Sequence, residues 1–428
     1  MLFMKIKITP KKYEEVIALP AEKHLRPKKP NIFFRTLLKL VSIPGLMGVN
    51  FKCTKIGMEE LDKREPCLYL MNHSSFIDLE IVADILYPRP FNIGATTDSF
   101  VGKSWLMRQI GCIPTKKFVF DIGLVRDMTH VVRKLKSSVV MYPEASYSFD
   151  GTATTLPDSL GKFIKMLDVP VVMIRTYGAF TRQPLYNDLK KRKVNVSADM
   201  KYLLSRDEIK KKSADEINEI LSGEFSFDNF LWQQENKIEI AEPYRADLLN
   251  RVLYKCPHCL SEGKMQGKGV ELLCNECKKS YVLDEYGYLA ATDGDTRFNH
   301  IPDWFAWQRE CVRKEIVEGT YSLDIPVRIC MGVDLKNIYY VGKGRLTHGT
   351  DGFHLTGAGG ALDYKQNPQA TYSLYSDFNW YEVGDIICIG NQKALYYCIP
   401  EVKTDIVAKA RLATEELYNI FKSQKNGT

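Results

Sequence analysis

"LYLMNHSSFIDLE", residues 68–80, decides how this chain is read. An apolar run stops at Asn72 and His73, and Asp78 follows five residues after the histidine. The run is short enough for a buried strand, and "FIDLEIVADILY" (76–87) has helical spacing directly behind it. The same alternation continues downstream. "FNIGAT" (91–96), "SVVMYPE" (138–144) and "VPVVMIRTYGAF" (169–180) read as strands. "SWLMRQIG" (104–111), "LVRDMTHVVRKL" (124–135) and "SLGKFIKMLD" (159–168) read as helices. Strands alternating with helices of this length predict a layered α/β domain with a mainly parallel sheet, here over 51–245. In such sheets ligands collect beyond the carboxyl ends of the strands. A histidine at that place can take up a proton near neutral pH. A carboxylate just over one helical turn further on can hold the other ring nitrogen and fix the tautomer. The start of the next helix adds backbone N–H groups that suit an oxyanion. Taken alone, the pair is a weak signal, since a lone histidine at a strand end is more often a packed or capping residue.

Three further stretches bear on that choice. "GCIPTKK" (111–117), "YPEASYS" (142–148) and "VPVVMI" (169–174) follow in order. With "NHSSFID" they resemble the four sequence blocks of the glycerolipid, or lysophosphatidic-acid type, acyltransferases, over roughly residues 30–240. The resemblance implies an acyltransferase fold and transfer of an acyl group from acyl-CoA or acyl-carrier protein to the hydroxyl of a lysophospholipid, by default lysophosphatidic acid. It implies that His73 is the general base and that Asp78 orients it. Glu144 would help bind the acceptor, and Pro143 would fix the turn that presents it. No covalent acyl-enzyme is implied. The third block departs from the family form F-P-E-G-T-R-S, because Ala145 and Tyr147 replace its glycine and arginine. A tyrosine in the acceptor site cannot supply the bidentate phosphate contact of a guanidinium. Lys117, Lys116 and Lys103 could supply positive charge there as point charges. The rival reading keeps the fold without the activity: a scaffold that binds lipid or protein partners.

"CPHCLSEGKMQGKGVELLCNEC" holds Cys256, Cys259, Cys274 and Cys277 as two C-x2-C pairs fourteen residues apart. Each pair forms a knuckle that offers two thiolates to one ion. The spacing resembles a zinc ribbon and predicts a small structural Zn2+ domain over 250–292. Four thiolates would leave no open coordination position. His258, inside the first pair, is expected to point away. The other seven cysteines are scattered among apolar residues, which fits a reducing compartment.

Residues 300–318 predict one linking helix that starts with Trp304, Phe305 and Trp307, placed to touch membrane or to pin the helix. Residues 320–428 predict several strands and a closing helix. That order resembles a pleckstrin-homology or GRAM type of small β-barrel, with Lys343 and Arg345 as candidate lipid-phosphate contacts.

The net charge is +7, and residues 1–50 hold ten Lys/Arg against three Asp/Glu. A basic end beside apolar sequence suits an anionic surface. "NIFFRTLLKLVSIPGLMGV" (31–49) is the candidate interfacial helix, with Arg35 and Lys39 four apart on one face. No run of eighteen uninterrupted apolar residues is present and no secretory leader is evident. The expected setting is therefore the cytoplasmic face of a membrane, peripheral or monotopic. The expected partners are the lipid surface, the lysophospholipid and, as one donor, acyl-carrier protein. Nucleic acid is not expected, since the excess charge lies far from the ribbon.

Overall fold

A computed structural model describes residues 6–20, 22–62, 64–119, 121–402 and 405–426. The chain opens with strand β1 (Ile8–Pro10) and helices α1 (Tyr13–Ile17) and α2 (Ile32–Met47). Next come β2 (Lys52–Ile56), β3 (Leu68–Met71), α3 (Ile77–Ile85), β4 (Phe91–Thr96), α4 (Ser104–Gln109), β5 (Cys112–Thr115), α5 (Ile122–Arg133) and β6 (Ser138–Met141). Then follow α6 (Leu160–Leu167), β7 (Val171–Tyr177), α7 (Ala179–Arg182), β8 (Ser197–Leu204), α8 (Arg206–Lys211), α9 (Ala214–Phe225) and α10 (Asn229–Glu235).

The first sheet has the order β2-β8-β7-β3-β6-β4-β5. β3 lies at its centre, parallel to β7 and β6. Only β8 runs against its neighbour β7. Successive strand residues face opposite sides of a sheet, and β3 feeds two cores in that way. Tyr69 and Met71 pack in one core with Ile77 and Ile81 of α3. Leu68 and Leu70 pack in the other with Ile164 and Leu167 of α6. Burial on both sides is why the run is continuously apolar. The polar stretch after β8 forms α8 and α9. Each starts with a serine capping box, Ser205 with Glu208 and Ser213 with Glu216.

The cysteine-rich stretch forms a four-stranded antiparallel sheet of β9 (Met265–Lys268), β10 (Glu271–Cys274), β11 (Ser280–Leu283) and β12 (Leu289–Ala291). Helix α11 (Ile301–Val317) follows. Its Trp304 is fully buried, donates to the Lys255 carbonyl (2.9 Å) and meets the Tyr281 ring edge-on (4.9 Å). Trp304 and Phe305 therefore pin the helix to the cysteine-rich module and are not available to a membrane.

The last part holds β13 (Leu323–Gly332), β14 (Ile338–Gly349), β15 (Gly352–Gly357), β16 (Leu362–Gln366), β17 (Tyr375–Trp380), β18 (Gly384–Gly390), β19 (Leu395–Pro400) and α12 (Val407–Asn426). The expectation of a closed barrel is corrected here. The sheet is open, in the order β16-β15-β14-β13-β19-β18-β17, and its end strands β16 and β17 do not pair with each other. The first domain covers the β17 end instead: Asp98 Oδ2 accepts Tyr375 OH (2.6 Å) and Trp380 Nε1 (2.9 Å). A covered edge needs no closure. Lys343 and Arg345 are paired with Glu401 and Asp324, as ordinary strand charges are.

Residues 1–50 were expected to form a basic amphipathic membrane-contact segment. Residues 1–5 lie outside the described residues, and the rest is divided. β1 adds to the last sheet, parallel to β14. His24 is bonded to Asp127 (3.0 Å), and Arg108 to the carbonyls of Leu25 and Arg26. No helix among the described residues is long and apolar enough to cross a membrane.

Leu70→Ala, at the centre of the first sheet, should cost about 2–5 kcal/mol in guanidinium unfolding. Ile56→Ala on the half-exposed edge strand β2 should cost under about 1 kcal/mol. Equal costs would contradict the placement of β3.

Candidate active site and metal centre

Asn72 ends β3 and ties it to β7. Its Oδ1 accepts from the Thr176 backbone N–H (2.8 Å) and hydroxyl (3.2 Å). The chain then turns, and Asp78 enters the first turn of α3 almost fully buried. Asp78 Oδ2 accepts from His73 Nδ1 (3.0 Å), Ser74 N (2.9 Å) and Ser75 N (3.2 Å). With Nδ1–H held by a carboxylate, the lone pair of the neutral ring lies on Nε2. The N–H groups of Ser74 and Ser75 are thereby committed to Asp78, so these two do not form the oxyanion site expected at this helix start.

Both faces of the His73 ring are covered. Tyr142 stacks on one contact at 4.3 Å between centroids and 26°, and Tyr147 on another at 4.1 Å and 29°. Phe76 lies 5.7 Å from the Tyr147 ring. Burial pushes the imidazole below its ordinary pKa, against the hydrogen bond and charge of Asp78, and Lys117 lowers it further.

Glu144 is placed differently from the expectation of an acceptor contact. Its Oε2 accepts from His73 N (2.9 Å) and its Oε1 from Thr154 N (2.9 Å). Both oxygens thus hold backbone, and burial raises the carboxyl to about 7 despite those bonds. Ala145 has φ +55°, the left-handed region in which glycine is at ease. The glycine of the family block suits that turn, and alanine costs about 1 kcal/mol there.

The three lysines have different partners. Lys117 Nζ lies 4.5 Å from the Tyr375 ring and 6.0 Å from the Tyr147 ring. Burial lowers its pKa, while Asp377 and Asp98 raise it. Lys116 Nζ is bonded to the Gln392 carbonyl. Lys103 stands at the start of α4, where it acts electrostatically on the Cys112 thiol. Neither of these two touches His73.

The last domain closes over this face. Phe149 stacks on Phe378 (4.4 Å), and Phe118 meets Tyr372 (5.3 Å). Arg411 of α12 donates from Nη1 to the Tyr147 carbonyl (3.2 Å) and lies over the Phe149 ring (4.6 Å). The sequence reading missed Tyr142 and Arg411. Tyr142 sits inside the quoted third block, and nothing local to Arg411 announces a partner 264 residues earlier.

Residues 52–176, from β2 into β7, match the family model described as Acyltransferase. This part of the chain is an acyltransferase-family domain. A solved structure, the 1-acyl-sn-glycerophosphate (LPA) acyltransferase PlsC from Thermotoga maritima, matches at 15% identity. It covers 45% of this chain and 80% of that one, with a TM-score of 0.32. Comparison with curated proteins returned no match. In the acyltransferase domain, the matched span contains His73, Asp78, Lys117, Glu144 and Tyr147 together.

The second cluster is sulfur. The Sγ atoms of Cys256, Cys259, Cys274 and Cys277 all lie within 4.8 Å of one another. Cys256–Cys277 and Cys259–Cys274 are each 3.7 Å apart. The two knuckles are built alike: Leu260 and Lys278, each just past its second cysteine, both have φ +63°. His258 is exposed and outside the cluster. The four thiols can hold a metal ion.

Cys274→Ser should lower bound metal from about one ion per chain to under about half, read by elemental analysis of the full protein. Retention of one ion would show that the cluster is not the site.

Proposed function

We propose that the chain is an O-acyltransferase that moves an acyl group from acyl-CoA or acyl-carrier protein to the hydroxyl of a lysophospholipid, by default lysophosphatidic acid. The observation that carries this reading is His73 Nδ1 held by the buried Asp78 carboxylate inside the acyltransferase-matched span. His73 Nε2 removes the acceptor hydroxyl proton while the oxygen attacks the thioester carbonyl. The tetrahedral intermediate then collapses with loss of the thiolate, which takes the proton back from the imidazolium. Asp78 orients the ring and stabilises its charged form. Glu144 acts as a positioning residue through the His73 backbone. Lys117 is the best placed of the three lysines to meet an anionic head group.

The membrane part of the reading rests on α2. Arg35 and Lys39 do not face outward. They are tied to the Pro88 carbonyl and to Asp84 (3.3 Å). Phe33, Leu40, Val41 and Met47 are instead more than half exposed. Trp105 of α4, 66% exposed, extends the patch by meeting Phe34 edge-on (5.8 Å). Exposed Lys23, Arg26 and Lys28 precede the helix. An outward apolar face with a basic rim supports peripheral binding to an anionic bilayer, on the cytoplasmic side.

Zinc is the favoured ion. Four sulfurs about 2.3 Å from a tetrahedral Zn2+ stand about 3.8 Å apart, close to the spacing seen. The ion would be structural. The strand order of the last domain and its terminal helix support the pleckstrin-homology or GRAM likeness, as a fold that docks on the catalytic domain.

The rival scaffold reading draws on one observation, the covered His73. Transfer of labelled acyl groups to a lyso-acceptor panel on liposomes separates the two. His73→Ala and Asp78→Ala should each lower kcat/KM by about 10²–10⁴-fold, whereas a wild type that transfers nothing from either donor supports the scaffold. Leu40→Glu with Val41→Glu should weaken binding to anionic vesicles at least about tenfold, since burying one leucine contributes about 1.5–3 kcal/mol. Unchanged binding would remove α2 from the membrane surface.

A further inference from the structure

The family block places an arginine where this chain has Tyr147, and the structure gives that tyrosine another task. Its ring lies 4.1 Å from the His73 ring. Its own carbonyl is held by Arg411, which comes from the last helix of the chain. Arg411 is 5% exposed and cannot swing freely. Its Nε donates to Glu415 Oε1 (3.2 Å). Glu415 is also held by the Ser373 hydroxyl (2.6 Å) and by Arg309 Nη2 of α11 (2.7 Å). An unbroken series of contacts therefore runs from α11, behind the cysteine module, through α12 to the tyrosine on the proposed base.

We propose that Tyr147 and Arg411 are positioning residues: Arg411 pins the Tyr147 loop so that the tyrosine ring covers His73, which makes the C-terminal domain part of the catalytic apparatus. This rests on the acyltransferase reading for its consequence in the reaction, but the geometry can be tested without the reaction.

A ring stacked on an imidazole fixes its plane and keeps water from its face. Fixing the plane matters because Nδ1 must stay on Asp78 while Nε2 meets the substrate. Keeping water away disfavours the imidazolium, so the ring stays neutral, and able to accept a proton, at lower pH. A tyrosine face also attracts a cation, which works the other way. At this covered ring the exclusion of water is the larger effect, so removing the tyrosine raises the His73 pKa. The other groups facing His73 are Asp78, which raises its pKa, Lys117, which lowers it, and the Tyr142 ring. The Glu144 carboxyl faces its backbone N–H.

The test is an NMR titration of the imidazoles in the full-length protein, with the His73 signal assigned by its loss in His73→Asn. Tyr147→Leu should raise the His73 pKa by at least about half a unit, a roughly threefold change in the protonation equilibrium. Tyr147→Phe keeps the ring and should restore the wild-type value. Arg411→Gln should shift it in the same direction as Tyr147→Leu but by less, and Arg411→Lys less again. Melting curves taken alongside show that each variant is folded. A His73 pKa in folded Tyr147→Leu that is unchanged or lower would overturn the proposal. If Tyr147→Phe behaves like Tyr147→Leu, the stacked ring is not the agent and the proposal also falls. Failure of acyl transfer in the wild type would instead defeat the enzymatic reading, while the titration result stood unaffected.

Discussion

One carboxylate oxygen organises the site. Asp78 Oδ2 collects the His73 ring N–H and the backbone N–H groups of Ser74 and Ser75. A buried carboxylate needs donors, and these three supply them. The same oxygen therefore fixes the histidine tautomer and shapes the turn between β3 and α3. Its partner oxygen, Oδ1, is buried with no hydrogen bond among the described residues. Leaving half of a buried carboxylate unsatisfied costs free energy, and a role in holding His73 is a reason for the fold to keep it. Around this centre Asn72 locks the strand end to β7, and Glu144 locks the His73 backbone to the Thr154 loop. The rigidity of the proposed base thus comes from side chains bonded to backbone.

The α/β layering was legible because its cause is local. Four consecutive buried residues in β3, followed at once by helical spacing, can be read without knowing the partner strands. The cysteine knuckles were legible for the same reason, since spacing alone brings two thiols to one point. What could not be read was long-range. β8 enters the sheet antiparallel to β7 and parallel to the edge strand β2, and nothing in "SADMKYLL" sets that direction. The barrel expectation failed similarly. Alternating strands do not reveal whether a sheet closes on itself or is covered, and here Asp98 of the first domain meets Tyr375 and Trp380. The amphipathic helix α2 was legible from its spacing, but the partners of its cations were not: Arg35 meets the Pro88 carbonyl and Lys39 meets Asp84, both distant in sequence.

The parts of the chain are joined in an order that makes sense of their fusion. β1, near the start, pairs with β14 of the last sheet. Trp304 seats α11 on the cysteine module, and Arg309 of the same helix reaches Glu415 and Glu416 of α12. Glu415 sits among Arg411, Arg309 and Ser373. Burial raises its pKa, and the two guanidinium charges and the hydroxyl bring it below the usual carboxylate range. A structural metal in the cysteine module would stiffen the platform that carries α11. The module and the sheet thus support the acyltransferase domain through packed contacts, and a separate ligand for either is not required to explain their presence.

The central claim is that His73, kept neutral by burial and oriented by Asp78, is the base for acyl transfer. The most direct measurement is the pH dependence of kcat/KM for wild-type transfer to a lyso-acceptor on vesicles. A base must be unprotonated to act, so the rate should rise with pH through a single acid limb. Because burial holds the His73 pKa below 6.5, the midpoint of that limb should fall below 6.5 and the rate should be level above it. A limb centred above 6.5, or a rate that does not fall in acid, would contradict the account.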